Sequence, residues 1–423
     1  MTANLDSDTQ FLDESKSLAC VHCGLCLGAC PTYLETGNEN ESPRGRIYIM
    51  RALQAGRLPV DHASVQHIDL CLGCRACEVA CPSGVQYGTL LEQTRDFIES
   101  KYRRSPYQTF LRRIAIEKVF PVPWRMKLAL VPARIAQVLG IDRILPAKLR
   151  EPLSLIPDEI SSRAVSEFSP TKVQPAKGTI GFVSGCVMSV MFGGTNHSSV
   201  RLLNEAGFDV VTPREQVCCG ALFAHSGRMN EARHHAAKNV RIFNQRKLDA
   251  IVINAAGCGS TLKEYGHLLE HTDLKTEGTQ FSRKVLDLTE FLVSNGFLNQ
   301  KFRPWPDRVT YHDACHLAHP QRITKQPRDL VKAVAGANYV ELPESDVCCG
   351  SAGSYNLTEP EMAERLQQRK IRNIASTNAE TVVTTNPGCI LQIRAGVKKA
   401  NGKEIKVLHI ADFLARSHPF DQP

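Results

Sequence analysis

The chain has 423 residues, of which 43% are apolar and 22% charged, with sixteen cysteines and a formal net charge of +8. That is length for two to four domains with a packed core and an ordinary globular composition. No run of 18 apolar residues occurs, which argues against a membrane-spanning helix. All sixteen cysteines fall into two motif sets, leaving none for structural disulfides, as a reducing cytoplasm would predict.

In chain order, Met1 to Ser17 carries Asp6, Asp8, Asp13 and Glu14 and no apolar h-region, so a polar lead-in is expected rather than a signal peptide. Two copies of one pattern follow, each reading C-x2-C-x2-C-x3-C-P: Cys20, Cys23, Cys26, Cys30 with Pro31, and Cys71, Cys74, Cys77, Cys81 with Pro82. A single C-x2-C fits zinc or a redox dithiol, whereas two complete runs fit a pair of cubane [4Fe–4S] clusters. Three cysteines at i, i+3 and i+6 wrap three iron corners, and the fourth, before Pro, serves the other cluster. The expected metal sets are Cys20, Cys23, Cys26 with Cys81, and Cys71, Cys74, Cys77 with Cys30. Small residues at Gly24, Gly28, Gly73 and Ala76 let backbone N–H groups approach the sulfurs.

Between the runs, Ser42-Pro43 reads as an N-cap and first helical position, followed by Ile47, Met50 and Leu53 at helical spacing and closed by Gly56. Asp61 opens a second helix with Val65 and Ile68 on one face. The amino-terminal module is therefore expected to be an all-α ferredoxin type. Residues 85–150 read as helices broken by Pro106, Pro121, Pro123, Pro132 and Pro146. Between Arg95 and Arg150 thirteen Lys/Arg face four Asp/Glu. This basic segment reads either as a solvated connector or as a docking face for a partner subunit or an anionic membrane leaflet, with Arg103, Arg104, Arg112 and Arg113 as its test positions. No nucleic-acid motif accompanies the charge, so no nucleic acid is expected as a partner. Residues 151–177, rich in Pro, read as a linker.

From Lys177 onward the chain repeats itself. Strands at Thr179–Ser184 and Val309–His312 lead to Cys186 and Cys315; Cys218-Cys219-Gly220 matches Cys348-Cys349-Gly350; strands at Ala250–Asn254 and Glu380–Thr385 lead to Cys258 and Cys389. The offsets are 129, 130 and 131 residues, and Val285–Phe291 mirrors Val407–Phe413. Strands alternating with helical patterns imply parallel sheets, and cysteines just past strand ends sit where open α/β sheets bind ligands. The four cysteines of each copy are expected to converge on one site, as a further iron–sulfur cluster, a thiol redox pair, or buried packing residues. His312, His316 and His319 flank Cys315 and are not assigned as ligands.

This order of modules resembles the iron–sulfur subunit family of bacterial glycolate oxidase, also called glycolate dehydrogenase. The resemblance spans nearly the whole chain and rests on Cys20-Val-His-Cys-Gly-Leu-Cys26, Pro31-Thr-Tyr33, Pro43-Arg-Gly-Arg-Ile-Tyr48, Cys81-Pro-Ser-Gly-Val85, Gly257-Cys-Gly259 with Lys263-Glu-Tyr-Gly266, and Cys348-Cys-Gly-Ser-Ala-Gly353. Related subunits of anaerobic glycerol-3-phosphate and lactate dehydrogenases share the order. The Cys-Cys-Gly domain is also similar to that of heterodisulfide reductase, which ends in C-x2-C and uses five cysteines; here Ala255 and Asn386 replace the first of that pair.

The fold implied is α plus α/β: residues 1–95 a two-cluster ferredoxin-type module, 96–177 a helical basic connector and linker, 178–304 and 305–423 duplicated Cys-Cys-Gly domains. The resemblance implies an oxidoreductase component that passes electrons from a flavoprotein oxidising glycolate to glyoxylate toward a quinone or other acceptor. FAD is expected only in the partner, since Phe192-Gly-Gly-Thr195 lacks the dinucleotide spacing, and no catalytic residue is expected in this chain. The alternatives are the same role for D-lactate or glycerol 3-phosphate, a thiol–disulfide reductase, or a zinc scaffold. The expected location is cytoplasmic, with peripheral contact to the inner membrane.

Overall fold

The computed structural model describes residues 10–140, 153, 155–157, 160–400 and 404–419. Within the amino-terminal module the described residues form helices and no strand. Helix Pro43–Gln54 starts as its sequence dictates: Ser42 accepts from the Gly45 N–H and Pro43 occupies the first turn. Helix His62–Asp69 opens on a reciprocal capping box between Asp61 and Ser64. Ile47, Met50, Leu53, Val65 and Ile68 bury one face of each helix against Leu90, Leu91 and Ile98 of helix Tyr87–Lys101, forming the module's core. Cys71 and Cys77 belong to that core, so the same packing that orders the helices fixes the second cysteine run.

The connector is helical at Pro106–Leu111, π-helical at Arg112–Val119 and α-helical at Pro123–Val138. Pro106 and Pro123 begin helices rather than break them, because a first-turn residue has no intrahelical use for its N–H. Pro132 sits inside Pro123–Val138 without ending it; Pro146 lies outside the described residues. Met126 anchors this last helix in the core of the first repeat.

The carboxy-terminal half contains two sheets. Strands β1 (Phe168–Ser169), β2 (Gly178–Val183), β3 (Phe208–Val211), β4 (Ala250–Ile253) and β5 (Val285–Asp287) are ordered β1-β3-β2-β4-β5. Strands β6 (Val309–Tyr311), β7 (Tyr339–Val340), β8 (Thr381–Thr384) and β9 (Lys406–His409) are ordered β7-β6-β8-β9. All pairs are parallel except β1 with β3. The order β3-β2-β4-β5 reappears as β7-β6-β8-β9, so the repeat seen in sequence is a repeat of topology. β4 and β8 are buried along their whole length, the pattern of central parallel strands covered on both faces. Sequence reading missed β3, β7 and the edge strand β1, which lies within the segment read as linker, and saw β5 and β9 only as mirrored segments, not as strands.

The modules are tied together by named contacts. The Tyr355 hydroxyl donates to the Leu70 carbonyl at 2.8 Å, Arg95 to the His225 carbonyl at 2.8 Å, and Arg369 pairs with Glu35 at 3.0 Å. Arg75 pairs with Glu264. Between the repeats, Asp412 accepts from Thr195 and Ser198, and His409 Nε2 lies 2.7 Å from the Asn254 carbonyl oxygen.

Candidate functional site

Two cavities in the amino-terminal module are walled by thiols. Cys20, Cys23, Cys26 and Cys81 line one; Cys30, Cys71, Cys74 and Cys77 line the other. Each combines three cysteines of one run with the last cysteine of the other. No cysteine is in a disulfide. Each cavity is ringed by four free thiols, the donor set that a cubane cluster demands.

The backbone fits as well. The residues either side of the second cysteine have positive φ in both runs: His22 at 54° and Gly24 at 87°, Gly73 at 65° and Arg75 at 63°. Such left-handed steps turn successive N–H groups toward a common centre, an arrangement that binds anions and iron–sulfur groups. The Gly73 N–H already donates to Cys71 Sγ at 3.4 Å.

The two cavities differ in surroundings. The Cys20 set is the outer one, with Cys23 exposed and Cys20, Cys26 and Cys81 half-buried. Leu18, Val21 and Leu25 stand exposed near it. In the inner set all four cysteines are buried. Arg44 and Arg46 on one helical turn divide between them. Arg44 lines the outer cavity, reaching the His22 carbonyl at 3.0 Å. Arg46 is buried, pairs with Glu41 at 2.6 Å and holds Nη1 at 3.9 Å from Cys30 Sγ. Burial opposes its charge, but its neighbours Cys71, Tyr87, Cys30 and Glu41 outweigh that and hold it protonated. The Tyr87 hydroxyl donates to Cys71 Sγ at 3.5 Å, and burial together with Cys71 pushes this phenol up, so it stays a neutral donor. Neither the Arg pair nor Tyr87 was identified by spacing alone; Pro43-Arg-Gly-Arg46 was visible only as part of a resemblance.

In the first repeat Cys186 Sγ lies 3.7 Å from Cys218 Sγ, and Cys219 and Cys258 complete the group. Tyr265 donates to the Cys219 carbonyl at 2.8 Å and Asn239 braces both Val217 and Cys218. In the second repeat Cys315, Cys348, Cys349 and Cys389 converge, each buried. Gly220 and Gly350 follow the vicinal pairs at φ 87° and 89°; a Cβ on Gly350 would sit 2.4 Å from the Ala363 carbonyl oxygen. Only glycine turns the chain there, and the turn lets adjacent cysteines face one site. The first repeat's shifted thiols are all raised, whereas the second repeat mixes raised Cys348 and Cys389 with lowered Cys315 and Cys349. Cys186 is pushed up by its hydrogen bond with Cys218 and by burial, whereas Cys349 is held well below the ordinary thiol range by hydrogen bonds with Cys348 and Cys389.

The second repeat abuts the inner cavity: Cys74, Leu72 and Ala76 share one apolar cluster with Cys315, Cys348 and Tyr355. It also abuts the first repeat. The Gly257 N–H donates to Asn386 Oδ1 at 3.3 Å, and Gln321 donates to the Ala256 and His316 carbonyls at 3.0 and 2.9 Å. Of the three histidines near Cys315, His316 Nδ1 lies 3.4 Å from its sulfur and His319 turns to the Asp346 carbonyl. His312 lies with Cys349 and Cys389, all three ligand atoms within 4.8 Å.

The basic connector departs from the expectation of a continuous docking face. Arg104 and Arg112 are largely buried and bind Asp69 and Glu99, at 2.5 and 2.6 Å for Arg104. They are internal ion pairs, while Arg103 and Arg113 are exposed.

Comparison with known proteins gives a family described as a 4Fe-4S dicluster domain over residues 16–85 and one described as a cysteine-rich domain over residues 180–263 and 309–394. The chain is 39% identical over 420 residues to a probable glycolate oxidase iron-sulfur subunit of Bacillus subtilis, covering 95% of this chain and 94% of that one. It is 31% identical over 397 residues to the glycolate oxidase iron-sulfur subunit of Escherichia coli, covering 92% and 93%. Lactate utilization protein A of Oceanobacillus iheyensis is 29% identical over 230 residues, 54% of this chain and 93% of that one.

Proposed function

The chain belongs to the family of glycolate oxidase iron–sulfur subunits, and from that premise we propose that it carries electrons from a FAD-bearing partner that oxidises glycolate to glyoxylate toward a quinone or other acceptor. Its role as an iron–sulfur electron-transfer component of an oxidoreductase follows from family membership; the substrate, partner and acceptor are the proposal. Bound cubane clusters supply one-electron storage, matched to a flavin that releases a hydride's two electrons singly. Cys20, Cys23, Cys26 and Cys81 would hold the outer cluster, and Cys71, Cys74, Cys77 and Cys30 the inner one.

The observation that carries the reading is the continuity of sulfur from surface to interior. An exposed set at Cys23 leads to a buried set at Cys74, which packs on Cys315 and Cys348 of the second repeat. The flavoprotein would dock at the outer rim, where Leu18, Val21 and Leu25 offer apolar surface. A second face belongs to the connector. Trp124, Leu128, Val131 and Ile135 form an exposed stripe on helix Pro123–Val138, with Arg125 and Lys127 beside it. An aromatic, apolar and cationic row of this kind suits the anionic inner leaflet, and no helix among the described residues is long and apolar enough to cross a membrane.

The test is reconstitution with the flavoprotein. Cys23→Ala and Cys74→Ala should each stop acceptor reduction while glycolate still bleaches the partner's flavin. Full acceptor reduction in either variant rejects the relay. The relative named for lactate utilization supports a second reading with D-lactate as donor; reduction of the reconstituted complex by D-lactate and not glycolate selects it.

A further inference from the structure

We propose that His312 is a metal ligand, so that the second cysteine-rich repeat holds an iron–sulfur centre on Cys315, Cys348, Cys349, Cys389 and one imidazole nitrogen. His312 is fully buried, and neither Nδ1 nor Nε2 has an oxygen or nitrogen hydrogen-bond partner; the group its ring reaches is the Cys349 sulfur. A buried polar nitrogen without a partner is costly and rare. Here its ring nitrogen lies within 4.8 Å of Cys349 Sγ and Cys389 Sγ, so the missing partner is one the sulfurs share.

The topology explains why this residue takes the role. Asn386 stands where a C-x2-C ending would place a fifth cysteine, just past β8. Its oxygen is engaged by the Gly257 N–H, and its Nδ2 lies 3.7 Å from Cys389 Sγ. His312 stands just past β6, the neighbouring strand, with Tyr311 opposite Val383 and the His312 N–H donating to the Val383 carbonyl at 2.9 Å. The fifth donor thus moves sideways by one strand along the same carboxyl edge. Four thiols and an imidazole exceed the four ligands of a tetrahedral structural zinc, and a polynuclear centre accommodates all five.

The first repeat lacks the device. Val183 occupies the position of His312 at the offset that relates Cys186 to Cys315, and Ala255 that of Asn386. The bracing Asn239 is replaced by the buried Lys370, whose Nζ donates to the Glu344 and Ser345 carbonyls. The two repeats have therefore diverged, the second gaining a nitrogen donor and a buried cation. Histidine in place of cysteine raises the potential of an iron–sulfur centre, which makes this site an electron sink beside the inner cubane cavity.

The inference rests on the iron–sulfur part of the reading above and is independent of the hydroxy acid. Its test uses the full chain prepared without oxygen and needs no substrate. Pulsed EPR on unlabelled protein and on protein carrying 15N-histidine should show a directly bound histidine nitrogen. His312→Cys, which keeps a donor should His312→Ala fail to fold, should retain the iron, lose that coupling and lower the potential of one centre, leaving the cubane signals unchanged. His316→Gln should keep the coupling. Iron for two cubanes alone, zinc in the second repeat, or a nitrogen coupling that persists in His312→Cys overturns the proposal, whatever the outcome with glycolate.

Discussion

At the scale of single residues, two side chains touch the sulfurs of the inner cavity, Arg46 at Cys30 and Tyr87 at Cys71. Arg46→Gln should lower the midpoint potential of the centre on the Cys71 set, and it breaks the buried pair with Glu41, a loss of up to roughly 3–5 kcal/mol that His67, 2.6 Å from the same carboxylate, partly offsets. Tyr87→Phe removes only an O–H donor to Cys71; it should lower the same potential at a stability cost of about 1 kcal/mol. Redox titration with thermal melts separates the two effects, and an unchanged potential in both variants refutes the tuning. The grouping of cysteines was legible because C-x2-C-x2-C-x3-C-P is a local pattern with a geometric meaning. Arg46 was not, because its nearness to Cys30 depends on how the helix Pro43–Gln54 packs. The same limit applies to Arg104, whose acid Asp69 lies 35 residues away in the chain. His312 was visible beside Cys315, yet only the orphaned ring nitrogens distinguish it from His319.

At the scale of elements, the strands that lead into cysteines were legible as short apolar runs. β3 and β7 were not, since β3 alternates buried with half-buried residues and β7 is two half-buried residues at a sheet edge. The turns after the vicinal cysteines are more demanding in the second repeat. Gly350→Ala should destabilise more than Gly220→Ala. Both incur roughly 1–3 kcal/mol for a left-handed non-glycine residue, but the added Cβ meets a carbonyl oxygen at 2.4 Å in one case and 3.2 Å in the other. Asp287 caps helix Leu288–Ser294 from a fully buried position, and burial, opposed by Thr289, pushes its carboxyl up to about 6. The unfolded chain releases this proton near its ordinary value of 3.8, so the folded state binds more protons between the two values. Stability from this group therefore falls as pH rises through that window. Asp287→Asn should raise stability at pH 7 by at most about 3 kcal/mol and flatten its decline between about pH 4 and 6; an unchanged slope in melts across that range removes Asp287 as the cause.

At the scale of the whole molecule, the docking roles proposed for the two faces make separable predictions. Val21→Asp with Leu25→Asp should weaken reduction by the flavoprotein at least tenfold while iron content stays constant. Trp124→Asp with Leu128→Asp should abolish sedimentation with anionic vesicles without altering electron transfer to a soluble dye. Equal loss of both functions in either pair would merge the faces into one. Charge reversal at Arg104 or Arg112 belongs to neither test, since it breaks ion pairs with Asp69 and Glu99 that bind the connector to the amino-terminal module. The unequal burial of the two amino-terminal thiol sets has one more consequence. Dioxygen reaches Cys23 from solvent but meets packed side chains before Cys74. On exposure to air the brown colour should fade in two stages, the outer set first, and a preparation caught between them would hold a charge it can no longer pass across its surface.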